Sequence, residues 1–210
     1  MLNEFDRNGK PYLFVFAGAN GSGKSTVIDF YRKNNLCPYN YICPDQLVPV
    51  DKKNDVDAYI LAMNEAQRRR IDNISQKNSF TFETVLSTIG KLDFINLAKS
   101  EGYTVIVIYV ITSDYQINIE RIKNRVAHGG HDVPKDKIIS RYDKSMRLMF
   151  EVIHAANEAL IYDNSNEKPV VVLAKYRNKD YYIIKPFPNW IMKYCFDEKM
   201  LEYLKASCEP

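Results

Sequence analysis

Runs of consecutive apolar residues alternate along this chain with longer segments whose apolar residues recur at helical spacing. The clearest runs, residues 12–17 and 104–111, are typical of strands buried on both faces of a parallel sheet. Shorter strands are expected at residues 41–43, 79–83 and 159–163. The alternation predicts an α/β fold in which helices cover both faces of a mainly parallel sheet, a three-layer αβα arrangement.

Helices are predicted between these strands, over residues 25–33, 55–76, 90–100, 114–126 and from the loop before Pro134 to about residue 156. Ser113 or Asp114 is expected to cap the fourth of them, and Pro44-Asp45 is expected to lie in a polar loop. The apolar members of the first two helices are Val27, Ile28, Phe30 and Tyr31, and then Tyr59, Ile60, Met63, Ile71 and Ile74.

The C-terminal part reads differently, because two strand-like segments at 170–175 and 181–185 are joined by Asn178-Lys179, as in a β-hairpin. A mixed or helical tail follows, with Trp190, Tyr194 and Phe196 expected to pack on a core edge. We therefore expect one domain over residues 1–210, with a core at about 12–165 and the hairpin and tail at about 166–210.

Composition narrows the function classes. The 210 residues carry a formal net charge of +3, which disfavours a dedicated nucleic-acid binder. Four cysteines without metal-ligand spacing favour free thiols in a reducing compartment. No apolar stretch has the length of a membrane span, and the first ten residues lack the apolar core of a signal peptide. The expectation is a cytoplasmic protein without a membrane partner.

A phosphate-binding loop directly follows the first strand, since residues 18–25 fit the pattern G-x-x-x-x-G-K-[ST] between a predicted strand and a predicted helix. Such a loop directs backbone N–H groups at phosphate oxygens at the positive end of a helix. Lys24 is expected to reach the β- and γ-phosphates, and the Ser25 hydroxyl to bind Mg²⁺. The candidate ATP-binding residues are Gly18, Ala19, Asn20, Gly21, Ser22, Gly23, Lys24, Ser25 and Thr26.

Two carboxylates are placed to join this loop. Asp45 follows the second strand and Glu83 ends the third, and the carboxyl ends of parallel strands meet at one edge of a sheet. Asp45 could take the proton of a hydroxyl that attacks the γ-phosphate, or it could belong to an ordinary Pro-Asp turn. Glu83, among apolar neighbours, needs a ligand or a cation as partner, and a buried structural ion pair is the alternative.

A basic segment with a glycine-containing loop is predicted to act as a lid. Arg121 and Arg125 lie on one face of a helix, residues 127–134 form the loop, and Arg141 enters from the next helix. Guanidinium groups of this kind stabilise a transferring phosphoryl group. A solvated basic helix face is the alternative. His128 and His131 lack metal-ligand spacing, so loop hydrogen bonding is the expected role.

These segments occur in the order found in small zeta-toxin-like ATP-binding proteins, which the chain resembles over about residues 12–165: Ala17 to Thr26, Pro44-Asp45, Phe82 to Ser87, Arg125 to Pro134 and Arg141-Tyr142. Tyr162-Asp163-Asn164-Ser165 is similar to the closing segment of that group, beside the adenine. The resemblance implies a P-loop kinase fold, ATP and Mg²⁺ at Lys24 and Ser25, Asp45 as base, Glu83 for substrate, and the lid arginines for phosphoryl charge. The better-known zeta toxins phosphorylate a sugar hydroxyl of UDP-N-acetylglucosamine.

The chain also departs from that pattern, because Ser87 stands where the toxins have an arginine that holds the sugar nucleotide. A small-molecule kinase acting on a UDP-sugar is the first hypothesis, and a toxin held by an antitoxin protein is a second. The third is a non-catalytic ATP-binding or ATPase module that works through a partner, although only Asp114 is available as a Walker-B carboxylate. A polynucleotide kinase is disfavoured by the low net charge.

Overall fold

The structure, a computed structural model, describes residues 9–52, 55–176, 180–184 and 188–195 and the single positions 198 and 202. Within these ranges seven strands form one sheet. The strands are β1 (Tyr12–Ala17), β2 (Tyr41–Ile42), β3 (Phe80–Thr84), β4 (Thr104–Ile111), β5 (Glu158–Asp163), β6 (Val170–Tyr176) and β7 (Asp180–Ile183).

The described helices are α1 (Lys24–Lys33), α2 (Pro44–Leu47), α3 (Val56–Gln76), α4 (Gly90–Ser100), α5 (Tyr115–Ala127) and α6 (Lys135–Ala155), with short 3₁₀ turns at Val50–Lys52 and Asn189–Tyr194. Asp55 and Asp114 cap α3 and α5, each with its carboxylate accepting backbone N–H bonds. None of the described helices is long and apolar enough to cross a membrane.

The sheet has the strand order β2-β3-β1-β4-β5-β6-β7. Strands β1 to β5 are parallel, and β6 and β7 continue the sheet in antiparallel pairing. The predicted α/β fold with a mainly parallel sheet is confirmed. Because β1 lies between β3 and β4, the loop after β1 and the ends of β2 and β3 meet at one edge, where open α/β sheets bind ligands.

Apolar residues of β1 pack on both faces of the sheet. Leu13, Val15 and Ala17 join a large core with α3, α4 and α6, whereas Phe14 and Phe16 pack against the buried residues of α1. A strand buried on both sides reads as a continuous apolar run, and this explains the uninterrupted pattern of residues 12–17.

Three sequence expectations were wrong. Pro44 and Asp45 begin the short helix α2 rather than lying in a loop, because proline at the first helical position needs no N–H partner. Phe30 of α1 is 55% exposed, so it is not part of that helix's core face. On α3 the buried residues are Ala62, Ala66, Arg70 and Ile74, while Ile60, Met63 and Ile71 are exposed. Small side chains let α3 approach the sheet closely, so its larger apolar residues face outward.

The predicted hairpin is confirmed as the antiparallel pair β6 and β7, although its turn residues Asn178 and Lys179 lie outside the described residues. In the tail, Trp190 and Tyr194 pack against the large core, as expected. Phe196 also lies outside the described residues.

Two lysines bind the C-terminal end of α6. The Nζ of Lys175, a residue only 3% exposed, donates to the carbonyls of Ile153, His154 and Ala156 at 3.0, 2.7 and 2.7 Å. The Nζ of Lys99 donates to the carbonyl of Ala155 at 2.5 Å. Positive charge at a helix C-terminus is favourable, and these bonds satisfy carbonyls that have no partner within the helix.

We expect Lys175→Met to lower the free energy of unfolding by roughly 2–4 kcal/mol, because it leaves buried carbonyls without charged donors. Urea denaturation followed by circular dichroism measures this change. Lys123→Met, at an exposed position on α5, is the matched control and should change stability by less than about 0.5 kcal/mol. Equal stability of the two variants would contradict a structural role for Lys175.

Candidate active site

The phosphate loop adopts a backbone that requires glycine. Gly18, Gly21 and Gly23 have positive φ angles of 142°, 78° and 92°. A Cβ at Gly18 would lie 2.1 Å from the carbonyl oxygen of Val110, and one at Gly23 would lie 2.1 Å from Nδ2 of Asn164. Helix α1 begins at Lys24 without a side-chain cap, so its first N–H groups remain available to an anion.

Lys24 folds back over this loop. Its Nζ donates to the carbonyls of Gly18 at 2.7 Å and Ala19 at 3.1 Å. Burial lowers the pKa of Lys24, and the nearby carboxylates of Glu83 and Asp45 oppose that shift. Lys24 is therefore a cation between the phosphate loop and the two acidic residues, where the sequence places it.

Two asparagine amides hold the loop from outside. Nδ2 of Asn118 in α5 donates to the carbonyl of Asn20 at 2.7 Å, and Nδ2 of Asn164 after β5 donates to the carbonyl of Ser22 at 2.8 Å. Asn118 is fully buried, and Thr112 Oγ1 donates to its Oδ1 at 2.5 Å, which fixes the amide orientation. Sequence reasoning missed Asn118, although a polar side chain between Ile117 and Ile119 was a usable signal.

The two predicted carboxylates lie together. Asp45 of α2 accepts a hydrogen bond from the hydroxyl of Tyr59 in α3, and Glu83 of β3 accepts one from Sγ of Cys43 at 2.9 Å. One ligand atom from each of Cys43, Asp45 and Glu83 lies within 4.8 Å of the others. Among the described ion pairs none involves Glu83, so the structural ion pair considered for it is not formed there.

Two protonated groups serve these carboxylates. Burial and the neighbouring Glu83 raise the pKa of the Cys43 thiol to about 12, so the thiol keeps its proton and donates it to Glu83. Burial and the bond to Asp45 raise the pKa of Tyr59, which likewise remains a donor. Neither Cys43 nor Tyr59 was singled out from sequence as a site residue.

A cavity of about 200 Å³ opens between α1 and the ends of β2 and β3. Its lining includes Ser25, Asp45 and Glu83. Hydroxyl and carboxylate oxygens suit Mg²⁺, whereas the protonated thiol of Cys43 does not. The oxygen donors at this position therefore fit the expected magnesium ion, with Ser25 as its predicted ligand.

The three arginines of the basic segment converge on the phosphate loop. Arg141 Nη1 donates to Oδ1 of Asn20 at 3.2 Å, and Arg125 is close enough to Lys24 to act on its pKa. Arg121 Nη1 lies 4.0 Å from the position of a Cβ on Gly23. That nitrogen and Ser22 Oγ are buried without a hydrogen-bond partner in the described part of the chain, as expected of atoms that meet a ligand.

The loop between α5 and α6 reaches across the crevice. The His131 ring stacks on Tyr59, with centroids 6.1 Å apart and planes at 4°, and Arg125 Nη2 donates to the His131 carbonyl at 2.5 Å. His128 Nδ1 is 2.7 Å from the carbonyl of Asn124. Neither histidine belongs to a metal-binding group among the described residues, in line with the expected hydrogen-bonding role.

The structure thus brings together the candidate residues that lie far apart in sequence: the loop from Gly18 to Ser25, Asp45, Glu83, Arg121, Arg125 and Arg141. Thr26 lies beside Ser25 in the first turn of α1 and is exposed. The alternative of a merely solvated basic face does not account for Arg121, whose burial lowers its pKa. Asn164, noted in the sequence only as part of a closing segment, contacts the phosphate loop rather than standing apart from it.

Comparison with known proteins places the chain. An uncharacterized protein of Haemophilus influenzae is 32% identical over 128 residues, which are 60% of this chain and 89% of that protein. The chain belongs to the family of this Haemophilus protein. No model of a known protein family matches it.

Solved structures with the same fold share less sequence. The AvrRxo1-ORF1:AvrRxo1-ORF2 complex with ATP superposes with a TM-score of 0.67 at 14% identity, covering 95% of this chain and 76% of that one. A structure from the PezAT chromosomal toxin–antitoxin system of Streptococcus pneumoniae has a TM-score of 0.60 at 14% identity, covering 97% and 89%. The expected zeta-toxin-like P-loop fold is confirmed.

We expect Asn118→Asp to weaken binding of an ATP analogue roughly ten-fold or more, because a carboxylate cannot donate to the Asn20 carbonyl yet still accepts from Thr112. Isothermal titration calorimetry measures the affinity. Asn124→Asp, exposed on the same helix, introduces the same charge and should bind as the unmodified protein does. If both variants bind equally well, the amide is not needed to hold the loop.

Proposed function

We propose that this protein is an ATP-dependent kinase of zeta-toxin type that transfers the γ-phosphate of ATP to a hydroxyl of a small molecule. One observation carries the proposal: the phosphate loop, the Asp45 and Glu83 carboxylates and three arginines meet in one crevice. A module that only binds nucleotide has no use for a carboxylate beside the γ-phosphate position. The Asp45–Tyr59 arrangement therefore favours transfer over binding alone.

In this proposal Asp45 acts as general base. Tyr59 occupies one carboxylate oxygen, Oδ1, and orients the group, so that Oδ2 is left for the acceptor hydroxyl. The acceptor oxygen attacks the γ-phosphorus, its proton passes to Asp45, and the bond to the β–γ bridging oxygen breaks to release ADP. Glu83, held by the Cys43 thiol, accepts a hydrogen bond from the acceptor and orients it.

The cations neutralise charge on the phosphates. Lys24 approaches the β- and γ-phosphates from the loop, while Arg125 and Arg141 approach from the lid side. When bound through Ser25, Mg²⁺ supplies further positive charge to the same oxygens. Arg121 contacts the nucleotide next to Gly23, where its Nη1 lacks another partner among the described residues.

A UDP-sugar such as UDP-N-acetylglucosamine is the first acceptor to test, because the chain resembles zeta toxins along the whole catalytic crevice. Ser87 in place of their arginine means that its diphosphate needs other cations. A partner protein belongs to the same proposal, since the AvrRxo1 structure is a two-protein complex and PezAT is a toxin–antitoxin system. A small reading frame beside the gene would be the candidate antitoxin.

The experiment is incubation of a metabolite extract with the protein and γ-labelled ATP, followed by mass spectrometry of the labelled products. A labelled small molecule supports the kinase, and a labelled UDP-sugar identifies its acceptor. Lys24→Ala should abolish the labelling, because no other loop residue supplies a cation to the β- and γ-phosphates. Labelling that persists in this variant would remove the phosphate loop from the reaction.

For the base, we expect Asp45→Asn to lower turnover by roughly two to four powers of ten while ATP affinity stays within a few-fold. Turnover and nucleotide affinity are measured on the same preparations. Asp51→Asn, an exposed carboxylate nearby in sequence, is the control. Parallel losses of affinity and turnover in Asp45→Asn would make this residue a metal or structural group instead.

For the lid, we expect Arg141→Ala to reduce turnover roughly a hundred-fold while the affinity for a non-hydrolysable ATP analogue falls much less. The reason is that its contact strengthens as charge shifts in the transition state. Arg147→Ala, exposed on the same helix, should leave both quantities unchanged. Full activity of Arg141→Ala would mean that Arg141 only bonds to Asn20.

A further inference from the structure

Two cations outside the crevice lie close together without an anionic partner. Arg70 of α3 is only 5% exposed, and its guanidinium carbon is 5.3 Å from the ring centroid of Phe82 and 5.8 Å from that of Phe94. Lys91 of α4 is half-buried beside it. No carboxylate in the described part of the chain forms an ion pair with either side chain.

This arrangement is costly without an anion. Burial lowers the pKa of Arg70, and burial together with the charge of Arg70 lowers the pKa of Lys91 to about 8. Stacking on two aromatic rings offsets part of the cost for Arg70. It does nothing for the repulsion between the two cations. A purely structural role would be served better by one apolar side chain, because unpaired buried charge is destabilising.

The backbone beside these cations also suits an anion. Helix α4 begins with Ile89 as its N-cap, which provides no side-chain acceptor, so the first N–H groups of an eleven-residue helix are uncapped there. The preceding residue Leu86 is buried and has a φ of 53°, a conformation that is strained for a leucine. Strain of this kind is often retained where a loop is shaped for a ligand.

The location connects these groups to the proposed reaction. Glu83 ends β3, and the short segment after Thr84 leads directly to the first turn of α4, so Lys91 lies at the same edge of the sheet as the crevice. Tyr59, which bonds Asp45, and Arg70 share helix α3 and are separated by about 16 Å along its axis. Helical side chains lean toward the N-terminus, so Arg70 reaches back toward Asp45.

We propose that Arg70, Lys91 and the first turn of α4 bind an anionic phosphate group of the acceptor. The acceptor is then a phosphorylated compound whose reacting hydroxyl lies at Asp45 and whose phosphate lies between α3 and α4. These two cations take the place that Ser87 cannot fill. This inference rests on the proposed kinase function, since it names the class of acceptor, but its test measures binding and needs no turnover.

The test is calorimetric titration of pyrophosphate into the full chain saturated with Mg²⁺ and a non-hydrolysable ATP analogue, so that the phosphate loop is occupied. We expect one pyrophosphate to bind. Arg70→Met and Lys91→Met should each weaken that binding roughly ten-fold or more, while analogue affinity stays unchanged. Arg68→Met is the matched control, because Arg68 is exposed on the same helix and already paired with Glu65 and Asp72.

If Arg70→Met fails to fold, Lys91→Met carries the test alone, since Lys91 is half-buried in the first turn of its helix. Pyrophosphate binding that is absent in the unmodified protein, or equally tight in Lys91→Met and Arg68→Met, overturns the proposal even if kinase activity is established. Binding that both site variants weaken supports it even where no transfer is detected, a result that would count against the kinase function only.

Discussion

A loop that directs its N–H groups toward a phosphate must place its carbonyls on the outside, where they also need partners. Here those partners come from separate parts of the fold. Asn118 of α5 serves the carbonyl of Asn20, Asn164 after β5 serves that of Ser22, and Lys24 covers those of Gly18 and Ala19. The shape of the phosphate loop therefore depends on β4, α5 and β5 being in place, and the rest of the crevice is built around it.

Charge is arranged on the two sides of this loop in a consistent way. Acidic residues lie on the β2 and β3 side, where a hydroxyl would approach, and each has a protonated neighbour that orients it, Tyr59 for Asp45 and Cys43 for Glu83. Arginines lie on the α5 and α6 side. Stacking of His131 on Tyr59 links the two sides, so the lid and the proposed base are mechanically coupled.

Helix α3 connects the crevice with the region beyond it. Its face toward the sheet is made of Ala62, Ala66 and Arg70, so close packing leaves room for a cation that reaches back toward the N-terminal end of the helix. Tyr59 at that end bonds Asp45. A single helix thus carries both a residue that orients the proposed base and a cation suited to a phosphorylated acceptor.

The sequence by itself determined the sheet order's essential consequence, a phosphate loop facing Asp45 and Glu83, because apolar runs and strand-end carboxylates are local signals and parallel strands end at one edge. It also predicted Arg121, Arg125 and Arg141 around that loop. The tertiary structure alone decided which face of α3 is buried, since small residues pack closer than large ones and periodicity does not distinguish two apolar stripes. It also decided the roles of Asn118, Cys43 and Arg70, because a buried polar side chain acquires its function from the partner that folding brings to it, and that partner is distant in sequence.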